Sequence, residues 1–297
     1  MTQAVSRLKA IGFAITAFTL WVMADSAIKL AGRSNLPNYE VVAFLGLFIA
    51  LSLFVFAAWR GQVRQLWPLR PGRQVVRGLL ELGNNLGVVI ALRHLPLTLF
   101  YILVFLSPMV IVLLERIFLK EQLGWRKALA ILTGFMGVLV AVNPLAVRRT
   151  GDWIGYAACA MCVSCFSTAM VWTRVISRTE RPESMTFFSG LVVAAGGLLG
   201  TGLHEAPLHP RLLIVLLVMG VLCALANVCF FIAVKHTTAA TVSQYHYTQL
   251  ITGAVVAYLL FGETPTKSMM LGAVLITLSG LYIALNVTEG SRAAQQV

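Results

Sequence analysis

Three ionisable side chains fall well inside apolar runs of this 297-residue chain: Asp25, Lys29 and Glu81. Glu81 is followed by Asn84 and Asn85, and residues four apart on a helix share a face, so Glu81 and Asn85 point the same way. A carboxylate beside carboxamides can hold a substrate amine, or take up and release a proton as a coupling group. It can equally be a buried hydrogen-bond cluster between helices. Asp25 and Lys29 have the same spacing, which suits either a local ion pair or a carboxylate turned into a cavity as part of a gate. A denser polar run follows later, with Thr241, Gln244, Tyr245, His246, Thr248, Gln249 and Thr252. At helical spacing these cover an arc of roughly 200° with Tyr245 near its centre. So broad a polar face belongs against a wet cavity, where His246 would be either a coupling group or a fixed hydrogen-bond partner.

Aromatic and small polar residues complete the candidate set. Thr98, Tyr101, Phe105 and Pro108 share one helix face, and Trp21 lies within an apolar run. They suit the apolar part of a bound solute, or ordinary packing. Asn227, Ser164 and Ser167 either line the same cavity or bridge helices. Cys159, Cys162 and Cys165 have the C-x-x-C-x-x-C spacing of a metal motif, but they sit in an apolar helix with no fourth ligand nearby. Packing of small residues is the better reading, and neither a metal nor a cofactor is expected.

The elements that must position these residues follow from composition. Apolar and aromatic residues make up 59% of the chain and charged residues 11%, whereas soluble domains run at roughly 45–50% and about 25%. That excludes a disordered chain, a disulfide scaffold and a conventional soluble enzyme. The net charge of +12 sits in short connectors between apolar runs, so it speaks for membrane orientation rather than nucleic-acid binding. A bilayer core needs roughly 20 apolar residues per helix. Ten such spans are predicted, at 9–31, 40–59, 74–92, 97–118, 127–143, 152–173, 185–203, 211–234, 238–261 and 268–287. Prolines punctuate the connectors, at 37, 68, 71, 96, 144, 182, 207, 210 and 265. With the N-terminus inside, sixteen Lys and Arg fall on the inner side and seven on the outer, which predicts cytoplasmic termini. The second-to-third connector, with Arg60, Arg64, Arg70, Arg73 and Arg77, is the strongest single contribution.

The chain also repeats. Shifted by 142 residues, Ala91-Leu92-Arg93-His94 lies over Ala233-Val234-Lys235-His236, and Lys120-Glu121 over Gly262-Glu263. The halves are spans 1–5 (9–144) and spans 6–10 (151–287). An odd number of spans per half inverts the second copy in the membrane, an arrangement that places a substrate near the midplane where the halves meet. Glu121 and Glu263 are repeat partners at helix-connecting turns, where a loop-tying role is expected. Gly83-x-x-x-Gly87, Gly151-x-x-x-Gly155 and Gly196-x-x-x-Gly200 permit close helix approach, within the bundle or across a homodimer.

Two stretches carry a resemblance: ALRHLPLTLFYILVFLSPMVIVLLERIFLKEQLGWRKALAILTGFMGVLVAVNP and HYTQLITGAVVAYLLFGETPTKSMMLGAVLITLSG. They are similar to the EamA repeat of the drug/metabolite transporter superfamily, in two copies over nearly the whole chain. The resemblance implies an all-α integral membrane fold of ten transmembrane helices in two inverted five-helix repeats, around a cavity open to one side at a time. It implies a secondary transporter of small metabolites in the bacterial inner membrane. The branch it most resembles exports amino acids, with nucleoside-type solutes such as S-adenosylmethionine as the rival. Many relatives carry an Arg in span 2 within F-x-R, whereas here Phe44 is followed by Leu45 and Gly46. No G-x-x-x-x-G-K-[ST], G-x-S-x-G or H-E-x-x-H occurs, so neither direct ATP drive nor a familiar intramembrane enzyme is indicated. A channel or structural membrane partner is the remaining class, and unsaturable flux would mark it.

Overall fold

The computed structural model describes residues 2–34, 36–118, 125–142, 153–176, 179–200, 210–236, 245 and 248–293. Apart from one short 3-10 turn, the elements among them are α-helices. In chain order they are α1 (Thr2–Gly32), α2 (Asn38–Trp59), α3 (Pro71–His94), α4 (Leu97–Val104), α5 (Ser107–Phe118), α6 (Trp125–Val142), α7 (Trp153–Ile176), α8 (Pro182–Gly200), α9 (Pro210–His236), α10 (Thr248–Phe261) and α11 (Lys267–Ala293). Six are long and apolar enough to cross a membrane, and four shorter apolar stretches complete the ten spans, α4 and α5 forming one of them. Proline opens α3, α8 and α9, where its fixed φ suits the first turn and its missing N–H costs nothing.

The expected single fourth helix is broken at Phe105–Leu106, two residues before Pro108. Pro108 has no N–H to give the carbonyl of Val104, and the Ser107 hydroxyl donates to that carbonyl instead at 2.6 Å. The Ser107 carbonyl in turn accepts the Ser167 hydroxyl of α7 at 3.3 Å, so the break is tied to the opposite repeat. In the ninth span, the described helix begins at Thr248, and the expected start at 238 lies outside the described residues.

The packing has the symmetry of two inverted five-helix repeats. Exchanging α1 with α7, α2 with α8, α3 with α9, α4–α5 with α10, and α6 with α11 maps the principal pairings onto one another. Thus α1 on α9 matches α7 on α3, and α2 on α9 matches α8 on α3. The pairs α2–α8, α4–α10 and α6–α11 map onto themselves and form the seam between repeats.

Small residues make that seam possible. A Cβ on Gly46 of α2 would collide with the backbone of Ala194, and would lie 2.6 Å from the carbonyl oxygen of Gly190 on α8. A Cβ on Gly197 would lie 2.5 Å from the backbone nitrogen of Ala43. In lipid there is no strong apolar driving force between helices, so close backbone packing supplies much of the association. The cysteine run serves the same purpose: Cys159 and Cys162 are buried, and Cys162 packs on Gly87 of α3. Among the described residues no His, Cys, Asp and Glu group could hold a metal ion.

Replacing Gly46 with Leu is expected to cost about 1–3 kcal/mol or more and to lower the melting temperature of the purified protein. Gly12→Ala, which meets nothing within 4 Å, should leave the melt unchanged. Equal melts for the two variants would remove the α2–α8 seam from the account.

Candidate functional site

Between the repeats lies a cavity with about 1130 Å³ of atom-free space, part of it open solvent. Of the residues singled out from sequence, it gathers Trp21, Asp25, Glu81, Asn84, Asn85, Tyr101, Asn227 and Gln249. Phe105 does not line it; its ring is buried in the core. Ser164 does not line it either, being exposed on α7 with its hydroxyl donating to the carbonyl of Ala160 at 2.8 Å. Tyr245 packs beside the Phe18–Phe230–Phe231 cluster without lining the cavity. Gln244 and His246 lie outside the described residues. Thr98 is buried away from the cavity.

The expected local pair of Asp25 and Lys29 is not formed. Lys29 donates across the repeats to Glu263 Oε1 at 2.6 Å and to the Leu95 carbonyl at 3.1 Å, and its ammonium lies 5.1 Å from the Phe261 ring centroid. The other Glu263 oxygen accepts the Leu97 backbone N–H at 2.8 Å, capping α4. Glu263 is held there by the turn that ends α10. Gly262 takes φ 67°, a value that glycine adopts at little cost, and Glu263 N–H bonds back to the Ala257 carbonyl at 3.2 Å. Arg93 donates to the Leu36 carbonyl at the same end. Glu263 thus ties loops as its turn position suggested, and its partner Glu121 lies outside the described residues.

Asp25 instead accepts the Tyr101 hydroxyl at 2.8 Å. The Tyr101 ring lies against Gly253 of α10, where a Cβ would sit 2.5 Å from it. Gln249 spends its amide on the Phe18 carbonyl at 3.1 Å, fixing α10 to α1.

Sequence reasoning missed the residue with the most contacts in the cavity. Arg77 had been counted among the loop cations, yet it is 6% exposed and lines the cavity from the second turn of α3. Its Nε donates to Thr173 Oγ1 at 3.0 Å, and Nη1 to the Met185 carbonyl at 3.0 Å and to Ser189 Oγ at 2.7 Å. Nη2 reaches Glu81 Oε1 at 3.2 Å, and the guanidinium lies 5.6 Å from the centroid of Phe231. The i, i+4 spacing of Arg77 and Glu81 was the available signal. Asn85 donates to the Glu81 carbonyl at 2.7 Å, and Asn84 Oδ1 accepts from the Cys162 thiol at 3.2 Å. Further lining residues with no sequence signal of their own are Thr186, Phe166, Met170, Phe230 and Cys223.

Among the described residues the lining is one-sided. Arg77 is near the start of α3, Thr173 near the end of α7 and Thr186 near the start of α8, so the lining reaches one end of the bundle. The opposite end is tied by Lys29, Glu263 and Arg93. Helix packing is also asymmetric: α1 contacts α3, with no counterpart of like extent between α7 and α9 among the described residues.

An inverted-repeat membrane bundle around a cavity lined by charged and aromatic side chains is the architecture of a secondary transporter. The EamA-like transporter family matches residues 8–143 and 153–285, and the chain belongs to that family. An S-adenosylmethionine uptake transporter of Rickettsia bellii is 26% identical over 281 residues, covering 93% of this chain and 94% of that protein. A riboflavin transporter of Rhizobium johnstonii is 29% identical over 237 residues, 75% and 73% of the two chains. A solved crystal structure shares the fold with TM-score 0.67, at 20% identity, over 94% of this chain and 98% of its own. Neither named relative is an amino-acid exporter, so the branch expected from the resemblance gains nothing here.

Removing Arg77 leaves the half-buried Glu81 carboxylate without its counter-charge, at a cost of up to about 3–5 kcal/mol. Arg77→Met is expected to lower the melting temperature sharply, and Arg77→Met with Glu81→Met to recover much of that loss. Additive losses in the double variant would show that the two side chains are not coupled.

Proposed function

We propose that the chain carries an S-adenosylmethionine-class solute, an amino acid joined to a nucleoside, inward across the bacterial inner membrane by alternating access. The observation that carries this reading is a cavity with one fixed guanidinium, two carboxylates and an aromatic wall. Arg77 and Glu81 offer opposite charges to an α-amino acid group at one point of the lining. Trp21, Phe100, Tyr101, Phe166, Phe230 and Phe231 offer faces and edges to a heteroaromatic base. Trp21 and Phe230 have ring centroids 5.3 Å apart. The relative named for S-adenosylmethionine uptake aligns along almost the whole chain, which supports the same class. A flavin would occupy the aromatic wall but leave the charged pair unused.

The one-sided cavity fits a state open to the cytoplasm if both termini are cytoplasmic. Removing the buried Lys29 and Arg77 from the charge count leaves fifteen Lys and Arg inside and six outside, which strengthens that orientation. Exposed Trp59, Trp67, Trp125 and Trp153, at helix ends or in a connector, suit the two interfaces.

Counterflow in proteoliposomes tests the reading. Vesicles preloaded with unlabelled S-adenosylmethionine should accumulate the labelled compound saturably. Riboflavin, threonine, methionine and phenylalanine should compete weakly. Saturable exchange of riboflavin or of free amino acids, without S-adenosylmethionine exchange, would overturn the substrate class. Flux that never saturates would point to a channel.

A further inference from the structure

We infer that Asp25 is the counter-ion for a positively charged group of the transported solute. The inference rests on the reading of the cavity as the transport site, and it specifies what that site requires of its substrate.

Three acidic or basic side chains, Asp25, Arg77 and Glu81, line the cavity. Arg77 and Glu81 neutralise each other at 3.2 Å. Asp25 has no such partner. Lys29, one turn further along α1, is committed to Glu263 at 2.6 Å and to the Leu95 carbonyl at 3.1 Å. Among the described residues no Lys, Arg or His pairs with Asp25, whose bond is to the Tyr101 hydroxyl through Oδ2. The titratable groups that share its cavity are Arg77 and Glu81 from α3, Tyr101 from α4, Cys162 from α7 and Cys223 from α9; the one cation among them, Arg77, is committed to Glu81, Thr173, Ser189 and the Met185 carbonyl. A carboxylate at mid-depth in a membrane is costly without a positive partner. Among the described residues no side chain supplies it, and a solute in the cavity can. The side chain is only partly covered, so it is open to a ligand. Trp21 lies one turn before it and Phe100 and Tyr101 lie in the same lining. Aromatic faces beside a carboxylate are the surroundings that bind sulfonium and quaternary ammonium groups.

This account separates Asp25 from Glu81. Glu81 is already paired and positions Arg77, whereas Asp25 reads charge. S-adenosylmethionine and S-adenosylhomocysteine provide the discriminating pair, because the second lacks the sulfonium methyl and its positive charge. In reconstituted full-length protein, both compounds compete against labelled S-adenosylmethionine. Wild type should prefer the sulfonium by about tenfold or more, the scale of one charge-assisted contact. Asp25→Asn should abolish that preference, and Asp25→Glu should restore part of it. Tyr101→Phe, which keeps the carboxylate, should keep the preference even if transport weakens.

An unchanged preference in Asp25→Asn overturns the inference, as does an equal loss of affinity for both compounds. Loss of solute-driven proton movement in Asp25→Asn, with the preference intact, also overturns it and makes Asp25 the proton carrier. Failure of wild type to move either compound is a different result, because it removes the substrate class proposed above. The inference is then decided by melting shifts. Choline, against its uncharged carbon isostere, should stabilise wild type and not Asp25→Asn; equal shifts in the two proteins would overturn it.

Discussion

A charge inside a bilayer must find a partner, and the structure is organised around how four of them do so. Lys29 and Glu263 pair across the repeats at one end of the bundle. Arg77 and Glu81 pair within α3, at the other end of the cavity. Each pair is built from ordinary local devices. A left-handed glycine ends α10 and sets Glu263 in place, and helical i, i+4 spacing sets Glu81 against Arg77. In the seam between repeats, glycine and alanine make the closest approaches of α2 and α8, while Tyr101 on Gly253 and the Ser279 hydroxyl on the Ala130 carbonyl join the other helix pairs.

The two pairs differ in what they join. Arg77 and Glu81 belong to one helix, and Thr173, Met185 and Ser189 hold the guanidinium from α7 and α8. That group moves as a unit with its neighbours. Lys29 and Glu263 belong to opposite repeats, and the Leu95 carbonyl and Leu97 N–H draw the α3–α4 connection into the same cluster. It can open only by separating α1 from the α10–α11 turn. A cavity closed by a breakable ion pair at one end, and lined by a fixed one near the other, has the physical means to expose one site to two sides in turn.

Much of this was legible in the sequence, and the parts that were not have physical reasons. Hydrophobic length and proline punctuation mark the spans, because the bilayer demands both, although the fourth is two helices and the start of the ninth lies outside the described residues. The 142-residue self-similarity gives the inverted repeats. Glu81, Asn84 and Asn85 stand out because polar residues are rare in such runs. Arg77 did not, because it sits within two turns of a helix start among four other arginines, where composition alone reads it as a loop cation. The partner of Lys29 was beyond reach as well: 234 residues separate it from Glu263, and the nearer Asp25 was the obvious local candidate. Phe105 and Ser164 fail for a simpler reason. A helix face predicted to be inward can meet another helix as readily as a cavity, and only the packing decides which.

The central claim is that transport requires the Lys29–Glu263 end to open. It is tested most directly by placing Lys29→Cys and Glu263→Cys in a background with the five native cysteines replaced, and bridging them with a cleavable thiol cross-linker. Solute exchange in proteoliposomes should stop on cross-linking and return on cleavage, while either single variant keeps exchanging after the same treatment. Full exchange in the cross-linked protein would contradict the account, because solute would then cross without that end ever parting.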